Sequence, residues 1–364
     1  MSATGAVSLE TRYQRLRGPF GLDSGAVLDE VTVAYRTWGR LRAEGGNAVL
    51  VCHPLTGSAD VDEWWSPLLG PGLCLDPDRD FVVCTNALGS CHGTTGPASP
   101  RPGGGRWGGS FPEVSVRDMV RVQAALLETL GVRRLRLVVG GSLGGMQALE
   151  WALLFSERVE AIAPIAASAR HSAWCIALSE AQRQAIRADP RWRDGDYPAS
   201  EPPEAGLRAA RMIASCAYGS RAGLERRFAR QGSSSGRFAV ESWLHHQGQS
   251  LADRFDAGAY VALTRAMDIH DVGRGRGGWR AALARVGAPA LVVSIDTDLL
   301  YPPSEQVELA AALPAGRLAT LVSPHGHDAF LIEAEATNAL VAEFRARGAD
   351  REETGWACHA LRIG

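Results

Sequence analysis

Short apolar runs separated by segments of helical period set the pattern of this chain. Residues 31–38, rich in β-branched and aromatic side chains, predict an early β-strand. Residues 47–52 and 81–85 are continuous apolar runs of the kind that strands buried on both faces require. Residues 116–130 carry apolar positions at helical spacing, 135–139 form a strand, 145–155 a helix and 159–166 another strand. Strand, helix and strand at those spacings describe a βαβ unit of a parallel sheet. The pattern then changes. From 168 to 279 long helical stretches dominate, interrupted by loop-like segments at 194–203 and 231–236, which predicts a helical lid inserted into the fold. The glycine- and arginine-rich stretch 273–278 reads as a flexible linker closing it. Strand signals resume at 289–295 and 318–322, with helices at 304–313 and 329–344. The expectation is an α/β fold with a core from 1–167 and 280–364 and a lid from 168–279.

Length and composition narrow this little further. At 364 residues, 46% hydrophobic and 21% charged, the chain fits one large globular domain or a domain with an insertion. A net charge of −2 offers no electrostatic footprint for nucleic acid or an anionic membrane. No apolar run approaches the ~20 residues of a membrane span, and the first sixteen residues do not read as a signal peptide. The seven cysteines are odd in number, lack a Cys-x-x-Cys pair and sit partly in apolar runs, as expected of a reducing cytoplasm without a disulfide frame or structural zinc. Every basic side chain is arginine. Schiff-base, Walker-A and kinase lysines are therefore excluded.

The chemistry concentrates at Val138-Val-Gly-Gly-Ser142-Leu-Gly-Gly-Met-Gln147, an apolar run entering Gly-x-Ser-x-Gly and then a helix. This is the pattern of a nucleophile elbow, with Ser142 exposed on the bend. A serine hydroxyl needs a base to take its proton and a third group to orient that base. Both partners follow in the order Ser, Asp, His. Asp296 and Asp298 follow the penultimate strand, and His325 and His327 the last. Asp298 is favoured because it lies in the loop beyond the strand end, and His327 because the next helix start fixes its loop. Leu143 and Leu55 are the expected oxyanion donors, since Pro54 has no N–H. His245, His246 and His359 read as incidental, and no cluster has metal-ligand spacing.

These motifs resemble the homoserine O-acetyltransferases of methionine biosynthesis, within the α/β-hydrolase superfamily. The likeness runs through Cys52-His-Pro-Leu-Thr-Gly57, Asp62-Glu-Trp-Trp65, Gly70-Pro-Gly72, Asn86-Ala-Leu-Gly-Ser-Cys-His-Gly-Thr-Thr-Gly-Pro-Ala-Ser99 and the elbow to Ala152. It continues through Glu180-Ala-Gln-Arg-Gln-Ala-Ile186, Arg254-Phe-Asp-Ala-Gly-Ala-Tyr260, Asp271-Val-Gly-Arg-Gly-Arg-Gly-Gly278 and His325-Gly-His-Asp-Ala-Phe-Leu-Ile-Glu333. The resemblance implies Ser142, Asp298 and His327 as triad and Leu55 and Leu143 as oxyanion donors. It also implies Arg211 and Tyr218 at the homoserine end of the site, Asp328 facing the substrate amino group, and a homodimer through the lid. Acetyl-CoA enters as co-substrate, with no further cofactor. Pro54 stands where most members have Ala, and Leu143 where many have Met. Succinyl-transferring relatives carry an arginine at the place of Leu300, which offers no partner to a distal carboxylate and so favours acetyl. Serine as acceptor, succinyl as donor, plain ester hydrolysis and an inactive hydrolase-fold interaction module remain alternatives.

Overall fold

The computed structural model describes residues 8–232, 236–347 and a strand at 360–362. Nine strands form one sheet: β1 (Arg12–Gly21), β2 (Val27–Trp38), β3 (Ala48–Cys52), β4 (Phe81–Thr85), β5 (Leu135–Gly141), β6 (Ile162–Ile165), β7 (Ala290–Ile295), β8 (Gly316–Val322) and β9 (Ala360–Arg362). Their order is β1-β2-β4-β3-β5-β6-β7-β8-β9. The β1/β2 and β2/β4 pairs are antiparallel and every pair from β4/β3 onward is parallel.

The parallel strands lack an alternating polar face because both faces are covered. Along β3, Leu50 and Cys52 join a core with Leu127, Leu149 and Trp151, while Val49 and Val51 join another with Trp65, Phe330 and Phe344. Successive side chains of a strand point to opposite faces, so one apolar run feeds two cores. Among helices of eight residues or more, α1 (Val116–Thr129) and α2 (Leu143–Leu154) cover the first face. Ser115 and Asp118 form a capping box that starts α1.

Between β6 and β7 the chain leaves the sheet for α3 (Ala173–Arg187), α4 (Glu204–Tyr218), α5 (Arg221–Phe228), α6 (Ala239–Ala252) and α7 (Ala257–Asp268). The α4 helix packs against both α3 and α6. After β7 come α8 (Pro303–Ala312) and α9 (Ala334–Arg347).

Several expectations need correction. The stretch 273–278 is no flexible linker. Glu150, buried on α2, accepts from Arg117 Nε at 3.0 Å and pairs with Arg276 Nη2 at 2.9 Å, while Arg117 also donates to the Asp271 and Arg274 carbonyls. A buried carboxylate requires such partners, and here they fasten the loop to the core. The predicted helix 329–344 breaks at Glu333 into Ala329–Ile332 and α9. The strand expected at 159–166 is shorter, and β1 was not expected at all. The long loop 89–111 is pinned to β2: Thr94 and Thr95 hydroxyls accept from the Ala34 and Thr32 N–H groups, each at 2.9 Å. Cys358, His359 and part of the 231–236 loop lie outside the described residues; of the other cysteines, Cys216 alone is exposed.

Candidate active site

Parallel strands bring their C-terminal ends to one edge, and there the predicted residues gather. Ser142 follows β5, the Leu55 loop follows β3, Asp298 follows β7 and His327 follows β8. At the elbow the chain must reverse within one residue. Ser142 adopts φ 56°, a left-handed conformation that side chains rarely accept, and its N–H donates to the Ile165 carbonyl at 2.9 Å. The flanking glycines are required sterically: a Cβ on Gly140 or Gly144 would lie 2.5 Å or 2.0 Å from the Cys52 carbonyl oxygen. Behind the elbow, Gln123 bridges Gln147 at 2.7 Å and Thr85 at 3.0 Å and accepts from Trp151 at 2.8 Å, a satisfied buried network that fixes α2.

Of the two candidate carboxylates, Asp298 meets the histidine. Its Oδ2 lies 2.8 Å from His327 Nδ1, while Oδ1 accepts from the N–H groups of Leu300 at 2.7 Å and Tyr301 at 3.1 Å. Asp296 instead accepts from the Ser323 N–H at 2.9 Å and shapes the exit from β8. His325 faces Glu333 at 3.8 Å, away from this pair. Burial pushes the His327 pKa down, but the charge and hydrogen bond of Asp298 outweigh it and leave the imidazole above its ordinary value. The N–H groups of Leu55 and Leu143 have no hydrogen-bond acceptor among the described residues, and Leu143 opens α2, where the helix dipole is positive.

Ser142, His327, Arg211, Tyr218 and Asp328 line one cavity of about 420 Å³. The Tyr218 ring stands 5.5 Å from the His327 ring, and the Arg211 guanidinium lies 5.5 Å above Tyr218. Burial raises the Asp328 pKa, opposed by the positive charges of Arg211 and His327. Among the described residues no cluster of histidine, cysteine and acidic side chains could hold a metal ion, and no helix is long and apolar enough to cross a membrane.

Sequence reasoning missed Tyr301. Its backbone N–H donates to Asp298, its ring stands edge-on to His327 at 5.3 Å, and Ser142 is among the groups that act on its hydroxyl. The hydroxyl also meets His171 Nε2 at 2.9 Å, and His171 Nδ1 meets Asp268 at 3.1 Å, where Arg183 pairs with the same carboxylate at 2.6 Å. Helices of the inserted segment thus reach the Asp298–His327 pair through one tyrosine. Tyr301→Phe should lower kcat about tenfold, the worth of one buried hydrogen bond, and leave the acceptor KM within about twofold. Steady-state kinetics check this; an unchanged kcat would reduce Tyr301 to packing.

A family model for the alpha/beta hydrolase fold matches residues 47–334. The chain is 55% identical over 341 residues to a homoserine O-acetyltransferase of Nostoc punctiforme, covering 92% of this chain and 96% of that one. It is 53% identical to the enzyme of the same name from Chloroherpeton thalassium, over 93% of this chain and 90% of that one. The chain belongs to the homoserine O-acetyltransferase family. As a homoserine O-acetyltransferase family member it is an acyltransferase, and its α/β-hydrolase fold agrees with the sequence-based expectation. Among solved structures, a homoserine O-acetyltransferase from Bacillus anthracis superposes with TM-score 0.85 at 25% identity, covering 96% of this chain and 100% of that one. Esterase E22 gives 0.84 at 27%, covering 92% and 100%. The transferase and esterase branches of this fold therefore differ less in architecture than in sequence.

Proposed function

We propose that the protein transfers the acetyl group of acetyl-CoA to the hydroxyl of L-homoserine by double displacement, as a step of methionine biosynthesis. One observation carries the reading. Beside Ser142, His327 and Asp298, the cavity offers a guanidinium, Arg211, and a buried carboxylate, Asp328, the two charges that a zwitterionic amino acid requires.

In this reading His327, oriented by Asp298, takes the proton of Ser142 as Oγ attacks the thioester carbonyl. The Leu55 and Leu143 N–H groups stabilise the tetrahedral oxyanion. The carbon–sulfur bond breaks, and the thiolate leaves with the proton held on His327. Arg211 and Tyr218 then position homoserine at its carboxylate end and Asp328 at its ammonium. His327 takes the homoserine hydroxyl proton, the new ester bond forms, and Ser142 leaves with that proton. The enzyme needs no metal or resident cofactor in this scheme. It works as a cytoplasmic homodimer joined through lid helices, with no nucleic-acid or membrane partner.

The likeness to esterases favours a second reading, hydrolysis of a small ester or of the thioester itself. A matrix of acetyl-CoA and succinyl-CoA against homoserine, serine and no acceptor separates them, read by thiol release and product mass. The expected result is O-acetylhomoserine, with thiol release that is sustained only when homoserine is present. Sustained release without acceptor would make the protein a hydrolase.

A further inference from the structure

Of the aspartate, glutamate and arginine side chains that line the cavity, Asp60 alone forms an ion pair among the described residues, with Arg36 at 3.0 Å. Arg211 on α4 and Arg254 in the turn between α6 and α7 line the same cavity, yet neither forms an ion pair among the described residues. Arg254 commits Nη1 to the Thr56 carbonyl at 2.7 Å, leaving the rest of its fork free. Its pKa is lowered, first by burial and next by the positive charge of Arg211, so the two cations act on each other across the cleft. Asp328 feels Arg211 but forms no ion pair with it. Two like charges facing a shared space repel, and an anion placed between them turns that repulsion into two attractions.

A third group faces the same space. His92 is 4% exposed and lines the cavity, with neither ring nitrogen hydrogen-bonded. Buried polar groups are nearly always satisfied; His92 lines the cavity while both its ring nitrogens are closed to solvent, so the ring must shift for one of them to meet what binds there. Burial, His53 and Arg254 push its pKa down to about 4, so the ring is neutral near pH 7 and offers one N–H and one lone pair. The ring packs edge-on against Phe255 at 5.4 Å.

We propose that Arg254 and His92 complete the acceptor site: the acceptor's α-carboxylate bridges Arg211 and Arg254, with the His92 N–H as a third donor. The proposal rests on the reading of the acceptor as an amino acid. It ties acceptor binding to the oxyanion loop, because the guanidinium that takes the carboxylate also holds the Thr56 carbonyl, one residue beyond the Leu55 donor.

The test compares homoserine with 3-aminopropan-1-ol, the same acceptor without its carboxylate, in the wild type, Arg254→Gln, Arg211→Gln and the double variant. Each single change should raise the homoserine KM roughly 10- to 100-fold, the range for a charge-assisted hydrogen bond, and leave the KM for 3-aminopropan-1-ol within about twofold. The double variant should lose less than the product of the two, because both residues grip one group. His92→Phe, which keeps the ring beside Phe255, should raise the homoserine KM a few-fold. Because Arg254 also holds the oxyanion loop, pre-steady-state thiol release from acetyl-CoA should slow in Arg254→Gln and kcat should fall with both acceptors, while the rise in KM falls on homoserine alone. If Arg254→Gln instead raised the acetyl-CoA KM, or abolished use of succinyl-CoA with the homoserine KM unmoved, the anion would belong to the acyl donor and the proposal would fall. An equal rise in KM for both acceptors would overturn it as well. A wild type that transfers nothing to homoserine refutes the functional reading beneath; an active wild type with an unmoved Arg254→Gln refutes this inference alone.

Discussion

Ser142→Ala should lower acetyl transfer by a factor on the order of 10⁴ or more and leave the fold intact. The size follows from what is lost. Without Oγ there is no acetyl-enzyme, and direct attack by homoserine on the thioester would have to be made in a cavity shaped for two successive displacements. The fold should survive because alanine and serine pay the same backbone cost at φ 56°, and because the elbow is held by close packing of Gly140 and Gly144 on the Cys52 carbonyl and by the Ser142 N–H bond to Ile165. Thermal melting should move by no more than a few degrees, since the change removes a single small hydroxyl. Three measurements check this: turnover, acetylation of the intact protein by mass, and labelling by a phosphonofluoridate. Substantial turnover in the variant, or a wild type that neither acetylates nor reacts with the phosphonate, would remove Ser142 from the mechanism.

What could be read in the sequence was whatever has a local signature. The βαβ unit around the elbow showed itself because buried parallel strands are continuous apolar runs and because Gly-x-Ser-x-Gly has few structural meanings. The pairing of Asp298 with His327 followed from loop position, and the same logic set aside Asp296, whose carboxylate caps the exit of β8. The β1 strand escaped notice because it has no apolar run: of Arg12–Gly21 only Leu16 is buried, so the pattern resembles a loop. The break at Glu333 has no sequence marker such as proline or glycine. The 273–278 stretch misled for a physical reason. Its glycines suggest freedom, while the partner that restrains it, Glu150, lies more than a hundred residues away.

Tyr301 and His92 were invisible for the same kind of reason. Tyr301 stands three residues beyond Asp298, but its tie to His171 and Asp268 exists only once the inserted helices fold back on the sheet. His92 sits in a loop whose course is set by hydrogen bonds to β2, and only that course turns the ring toward the cavity. Groups that shape specificity tend to lie on such loops, so sequence motifs reveal the reaction class sooner than the substrate. The near-equal structural likeness to a transferase and to an esterase makes the same point from the other side: strand order and elbow are common to both.

Asp298→Asn should be nearly as damaging as loss of the serine, and for a different reason. The carboxylate accepts from His327 Nδ1 at 2.8 Å, which leaves Nε2 unprotonated and free to take the serine proton. An amide that presents its NH2 to Nδ1 stabilises the other tautomer, and the loss in kcat should be on the order of 10⁴-fold with the geometry kept. The pH profile supplies an independent check. Activity needs neutral His327, and Asp298 holds its pKa above the ordinary value against burial. The wild-type acid limb should therefore lie above the usual histidine range. In the variant both raising contributions of Asp298 vanish, burial dominates, and the limb should move to lower pH, with the charge of Asp328 as the remaining opposing influence. Stability follows the same sign. A histidine whose folded pKa is raised contributes stability that is full below its unfolded pKa, about 6.5, and is lost as pH rises through the folded value. Melting temperature plotted against pH should show that loss in the wild type and its reversal in Asp298→Asn. An acid limb that stayed in place while kcat fell would mean that another group, not the Asp298 carboxylate, tunes His327.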